Sequence, residues 1–98
     1  MDQGKQRRRV LVFIVAYNAE TTIESVLDRI PPSILDYDHE VLIVDDQSAD
    51  QTFDKASRYR ERRPALNLRV LYNPENQGYG GNQKIGYEYA IREKFEVV

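Results

Sequence analysis

Four consecutive apolar residues, Val41-Leu42-Ile43-Val44, run straight into the paired acids Asp45-Asp46, and this stretch constrains the chain more than any other. A continuous run of this kind suits a strand buried on both faces, as in a parallel sheet covered by helices. Acids at the C-terminal end of such a strand stand where open α/β sheets bind their ligands. The whole stretch from Glu40 to Thr52 therefore carries both a fold expectation and a site expectation.

The rest of the chain supplies the same alternation of elements. Val10 to Ala16 is a second uninterrupted apolar run and reads as the first strand, ending at Tyr17-Asn18. Ile23, Val26, Leu27 and Ile30 then fall at i, i+3, i+4 and i+7, which predicts a helix closed by Pro31-Pro32. Thr21 with Glu24 has capping-box spacing, and Asn18 offers a second cap. After the acids, Ser48 with Gln51 repeats that spacing, with Asp50 as the alternative cap, ahead of a weaker stripe of Phe53, Ala56 and Tyr59. Leu66 to Tyr72 reads as a third strand whose alternation suits an edge. A loop from Asn73 to Gly81 leads to a helix expected to begin near Gly81 or Asn82. Its buried face carries Ile85, Tyr89 and Ala90, and Gly86 permits close approach. Phe95 to Val98 starts a fourth strand, which predicts a fragment of a longer protein. The order β-α-β-α-β-α-β predicts a parallel α/β sheet with right-handed crossovers and helices on both faces.

Composition narrows the function classes. With 98 residues the chain has room for one core, and its net charge of -2 does not select a partner. Residues 1–9 read as a basic tail around Lys5-Gln6-Arg7-Arg8-Arg9, either a solvated end or an electrostatic contact. No nucleic-acid partner is expected. The absence of cysteine removes thiolate metal sites, disulfides and cysteine nucleophiles. No apolar run reaches the roughly 18 residues of a membrane span, so the sequence reads as cytoplasmic. His39, the one histidine, is assigned no role.

On local sequence the acid pair supports two readings equally: helix capping, or a ligand site that accepts hydrogen bonds from sugar hydroxyls or base N–H groups or helps to hold a divalent cation. Tyr17, Asn18 and Glu20 at the neighbouring strand end favour a pocket. Gly78-Tyr79-Gly80-Gly81 could bring backbone N–H groups to a phosphate, with tight turning as the alternative, and it fits neither common phosphate-loop fingerprint. Lys84 could offer an ammonium to a diphosphate, or be a solvated helix lysine.

Together these residues resemble the N-terminal half of the catalytic domain of inverting family 2 glycosyltransferases, which have the GT-A fold. Within that family the chain looks most like the polyprenyl-phosphate, dolichol-phosphate-mannose-synthase-like group. Val15-Ala16-Tyr17-Asn18-Ala19-Glu20 matches a block usually opened by proline. Val44-Asp45-Asp46-Gln47-Ser48-Ala49-Asp50-Gln51-Thr52 matches a second, with Gln47 where glycine is usual. Asn76, Gly78, Gly80, Lys84 and Gly86 match a third, with Lys84 in place of arginine.

The resemblance implies strand order 3-2-1-4 over residues 10–98 and a donor site for a UDP- or GDP-sugar. It places Tyr17, Asn18, Glu20, Asp45, Asp46, Gly78, Gly80 and Lys84 at that site. It implies Mg2+ or Mn2+ in the full-length enzyme, held by an Asp-x-Asp expected beyond Val98, and no metal or catalytic residue within this chain. A lipid-phosphate acceptor and membrane association of the whole protein are further implications, and the piece alone is expected to be inactive. The alternatives are a non-catalytic domain of GT-A shape and a receiver-type signalling module. The latter fits less well, because the first strand ends in Tyr17-Asn18 and the third in Tyr72-Asn73.

Overall fold

The computed structural model describes residues 8–98, and the basic residues Lys5 to Arg7 lie outside that range. Three strands, β1 (Arg9–Ala16), β2 (Asp38–Asp45) and β3 (Leu68–Tyr72), form one sheet in the order β1-β2-β3. Both pairings are parallel, with Ala16 opposite Asp45 and Asp45 opposite Tyr72 at the C-terminal ends. The connections carry α1 (Ile23–Asp28), α2 (Thr52–Arg58) and α3 (Gly78–Arg92), with short 3-10 turns at Pro32–Asp36 and Tyr59–Glu61. Arg9, expected in the tail, instead opens β1.

On the far side of β1, Val97 forms a parallel bridge with Val10, and Leu11 N–H donates to the Val97 carbonyl at 2.7 Å. This single bridge lies on the side of β1 where the resemblance implied a fourth strand, beside the three-stranded sheet. The Arg9 guanidinium helps to anchor that last segment. It lies 4.4 Å over the Phe95 ring, while the Arg9 N–H donates to Glu96 Oε1.

Period-two alternation explains why β2 is apolar without a break. Val41 and Ile43 pack with Ile23, Leu27, Ala56, Tyr59 and Leu68 on one face. Leu42 and Val44 pack with Leu11, Tyr89 and Ala90 on the other. Each face needs its own helical cover, which α1 and α2 supply to the first and α3 to the second. Gly86 is where α3 comes closest to the sheet: a Cβ there would stand 2.5 Å from the Phe13 ring.

Local signals mislead at several boundaries. Neither expected capping box forms a side-chain cap bond, and α1 starts at Ile23 behind Thr22. Ile30 is buried but lies beyond the end of α1, and Val26 is exposed. Leu66 is buried ahead of β3, which begins only at Leu68. The largest difference is that α3 begins at Gly78, so the glycine segment is the first turn of a helix. The reason is the Asp46 carboxylate, which accepts from the N–H groups of Gln77 and Gly78.

Candidate functional site

The C-terminal ends of β1 and β2 feed two loops that are joined by hydrogen bonds. Asn18 takes a left-handed conformation, φ 48°, which asparagine tolerates better than most residues. Its N–H donates to Ser48 Oγ at 2.8 Å, and its Oδ1 accepts from Ala49 N–H at 3.0 Å. Ala19 N–H donates to Thr52 Oγ1 at 2.8 Å. Glu20 N–H donates to Asp50 Oδ2, and Glu20 Oε1 accepts from Gln51 N–H. The Thr52 hydroxyl, helped by backbone N–H groups, holds the Asp50 carboxyl below its ordinary value despite some desolvation. Asn18 therefore caps no helix of its own but ties one loop to the other. Gln47 stands at φ 67°, a region that favours glycine, which gives a physical reason for the glycine usual at this position.

Asp45 and Asp46 have different fates although they are neighbours. Asp45 is 1 % exposed, and its Oδ1 accepts from Ser48 N–H at 2.9 Å. Its Oδ2 is buried with no hydrogen-bond partner in the protein. Asp46, 3 % exposed, continues the alternation toward the α3 face. Its Oδ1 accepts from Gln77 N–H at 2.7 Å and Asn73 Nδ2 at 3.0 Å, and its Oδ2 from Gly78 N–H at 3.0 Å. Asn73 also donates to Asn82 Oδ1, and Asn82 Nδ2 donates to the Gly78 carbonyl. Burial alone would raise the Asp46 pKa. The donors Gln77, Asn73, Gly78 and Asn82 outweigh burial and hold it below the usual carboxylate range.

The first N–H groups of α3, a natural anion site, already face a carboxylate of the protein itself. Gly78, at φ 71°, makes the turn that aims its N–H at Asp46. Asp46 is thus a helix cap, but of α3 rather than of the helix that follows it in sequence.

A groove of about 980 Å³ opens between β1, the Val97–Val98 segment and α3. Val10, Val12, Phe13 and Val15 form its apolar floor, and Tyr17, Asp46, Asn76, Gly78, Tyr79, Asn82 and Gln83 form its polar end. Of the sequence candidates, Tyr17, Asp46 and Gly78 line it. Tyr17 is 57 % exposed and Tyr79 78 % exposed, so both rings are free to meet a ligand. Asn18 and Glu20 sit in the loop junction beside the groove, and Asp45 lies buried next to Ala16 in the ladder. Gly80 and Lys84 are exposed on α3 and do not line the groove.

Sequence reading passed over Asn73 and Asn82, which complete the Asp46 network. The signal available was two amides nine residues apart on either side of a helix start. It also passed over Glu40, whose buried carboxylate accepts the Tyr89 hydroxyl at 2.9 and 2.8 Å and Arg69 Nε at 2.9 Å. His39 has a structural role: its Nε2 accepts from Asn67 N–H.

Among the described residues no group of three or more His, Asp or Glu side chains gathers to hold a metal. The acid pair does not fit one either. Asp46 is committed to the α3 N-terminus and Asp45 offers a single free oxygen, whereas a hard divalent cation wants several oxygen ligands. No helix among the described residues is long and apolar enough to cross a membrane.

A parallel sheet covered on both faces, with its groove at the strand ends beside β1, defines an open α/β fold with a groove where such sheets bind ligands. Comparison with known proteins agrees. Residues 11–94 match the model of glycosyl transferase family 2. A dolichyl-phosphate beta-glucosyltransferase of Dictyostelium discoideum is 33% identical over 76% of this chain and 25% of its own length. A dolichol-phosphate mannosyltransferase of Pyrococcus furiosus is 27% identical over 92% of this chain and 25% of its own length. The mannosyltransferase PcManGT from Pyrobaculum calidifontis, solved in complex with GDP-Man and Mn2+, superposes with a TM-score of 0.72 at 30% identity, covering 87% of this chain and 25% of that one. The chain belongs to glycosyltransferase family 2. It spans about a quarter of the length of the relatives it matches.

Proposed function

We propose that this chain supplies the donor-binding part of an inverting glycosyltransferase that moves a sugar from GDP- or UDP-sugar to an acceptor. A polyprenyl phosphate at a membrane surface is the acceptor class that the named activities of the relatives favour. The observation that carries the reading is the unpartnered Asp45 Oδ2. It lies at the end of β2, opposite Ala16 and next to the exposed Tyr17. A buried acceptor without a donor is costly, and an N–H or O–H of a ligand would relieve that cost. Tyr17 offers a face for a planar base.

In this reading the base lies on Tyr17 at the polar end of the groove, beside Gly78 and Tyr79, and the nucleoside reaches over the strand ends to Asp45, which is outside the groove lining. Asp46 acts by holding Gly78 in place. Asp46 already takes the Gln77 and Gly78 N–H groups, so in this reading those two do not hold the diphosphate. A divalent cation, as in the PcManGT complex, would screen the leaving diphosphate when bound. The described residues do not build its site, and the work of this chain is to bind and orient the donor.

The test is titration of the protein with GDP and with UDP in the presence of Mg2+, followed by amide chemical shifts, with calorimetry in Mn2+ alongside. Shifts at Tyr17, Asp45 to Ser48 and Gly78-Tyr79 are expected. A folded protein whose spectrum stays unmoved at about 1 mM of either nucleotide, where even weak sites fill, refutes the donor-site reading.

A further inference from the structure

We propose that Asn18 and Ser48 are positioning residues, forming an interlock that presets both the turn after Tyr17 and the free oxygen of Asp45 before any ligand arrives. This deepens the donor-site reading and rests on it for its functional meaning. The geometry is a short relay between the two strand ends. Asp45 Oδ1 accepts from Ser48 N–H at 2.9 Å, Ser48 Oγ accepts from Asn18 N–H at 2.8 Å, and Asn18 Oδ1 accepts from Ala49 N–H at 3.0 Å.

Each bond fixes something the next one needs. Using Oδ1 on Ser48 leaves Oδ2 as the one free acceptor of Asp45. Holding Asn18 from both its N–H and its side chain stabilises the left-handed turn immediately after Tyr17. That turn fixes the direction in which the chain, and with it the Tyr17 side chain, leaves β1. A second rung, Ala19 N–H to Thr52 Oγ1 and Gln51 N–H to Glu20 Oε1, keeps the two loops from sliding. No ligand contact is required of Asn18 or Ser48, because their bonded atoms are spent on each other and on Ala49. The function of the interlock is preorganisation, which preserves affinity by avoiding loop ordering on binding.

Three substitutions separate this role from simple stability. Asn18→Gly keeps the left-handed backbone without strain but deletes the acceptor for Ala49. Asn18→Asp keeps both the acceptor and tolerance of that backbone. Ser48→Ala deletes the acceptor for Asn18 N–H. Losing one partly exposed hydrogen bond corresponds to an affinity loss of about three- to tenfold. That loss is expected for GDP or UDP, whichever the wild-type protein binds, in Asn18→Gly and Ser48→Ala. Asn18→Asp should stay within about twofold, the range of a neutral surface change. Unchanged affinity in Asn18→Gly, or an Asn18→Asp variant as weak as Asn18→Gly, overturns the proposal.

A readout without ligand separates it from the donor-site reading. In 13C-tyrosine spectra the Tyr17 ring signal should shift or broaden in Asn18→Gly and Ser48→Ala and be restored in Asn18→Asp. If wild type binds neither nucleotide, the donor reading fails, and the interlock is still judged by this signal. A Tyr17 signal identical in wild type and Asn18→Gly refutes the interlock whatever binds.

Discussion

Replacing Asp46 with asparagine isolates the bond set that decides where α3 begins. The side chains are nearly the same size, so packing is preserved while charge and one acceptor are lost. In the wild-type protein Asp46 accepts from Gln77 N–H at 2.7 Å, Gly78 N–H at 3.0 Å and Asn73 Nδ2 at 3.0 Å. An asparagine can turn its oxygen to only one of the two sides, so its NH2 must then face an N–H donor. A hydrogen bond to a charged group contributes about 1.5–3 kcal/mol, and a charge at a helix N-terminus about 0.3–1 kcal/mol. Losing one such bond together with the charge predicts a destabilisation of about 2–4 kcal/mol. For a domain of this size that corresponds to roughly 10–30 °C in Tm. Urea unfolding followed by circular dichroism measures it, with thermal melts alongside.

The pH dependence supplies an independent check. The pKa of Asp46 in the folded protein lies below its ordinary value of 3.8. Its stabilising contribution is therefore fully present above that value and is lost as pH falls through the folded value. The wild-type acid limb should be steeper than that of Asp46→Asn, and the two stabilities should converge toward the acid end. An Asp46→Asn protein within about 0.5 kcal/mol of wild type at neutral pH, the spread of an ordinary surface change, refutes the argument. So does an acid limb of unchanged slope.

Three further outcomes follow from the geometry. Gly86→Ala places a Cβ 2.5 Å from the Phe13 ring. Overpacking of about 1–3 kcal/mol against a helix-propensity gain of about 1 kcal/mol predicts a net loss of up to about 2 kcal/mol. Adding Phe13→Leu should recover part of that loss in a double-mutant cycle. Tyr89→Phe removes both hydroxyl contacts to the buried Glu40 carboxylate and should cost about 1–3 kcal/mol by denaturant titration. Burial, then the Glu40 hydrogen bond, raises the Tyr89 pKa above 10.0. The Tyr89 contribution is therefore full below that value and lost as pH rises through the folded one, so Tyr89→Phe should flatten the alkaline limb. Gln47→Gly relieves a left-handed cost of about 1–2 kcal/mol against a glycine entropy cost of about 0.5–1 kcal/mol. A gain of about 0.5–1 kcal/mol is expected in urea unfolding, and a loss of that size would show that the Gln47 bond to the Pro74 carbonyl matters more.

The sequence by itself determined the sheet. Apolar runs with no polar gap at Val10–Ala16 and Val41–Val44 can be buried only on two faces, and the alternating helical segments are the only available cover. It also placed polar groups at the strand ends, because a parallel sheet brings Tyr17 and Asp45 to the same edge. Helix boundaries were less legible, because capping signals compete with partners that are distant in sequence. Asn18 had the chemistry of a cap, yet its acceptor is taken by Ala49, thirty-one residues on.

Tertiary structure alone decided how two adjacent acids divide their work. Successive side chains on a strand point to opposite faces. Asp45 turns toward the Ser48 loop with one oxygen left free, while Asp46 turns toward α3 and accepts from the Gln77 and Gly78 N–H groups. Local sequence could not separate ligand acceptor from helix cap, because the helix that Asp46 caps begins thirty-two residues away.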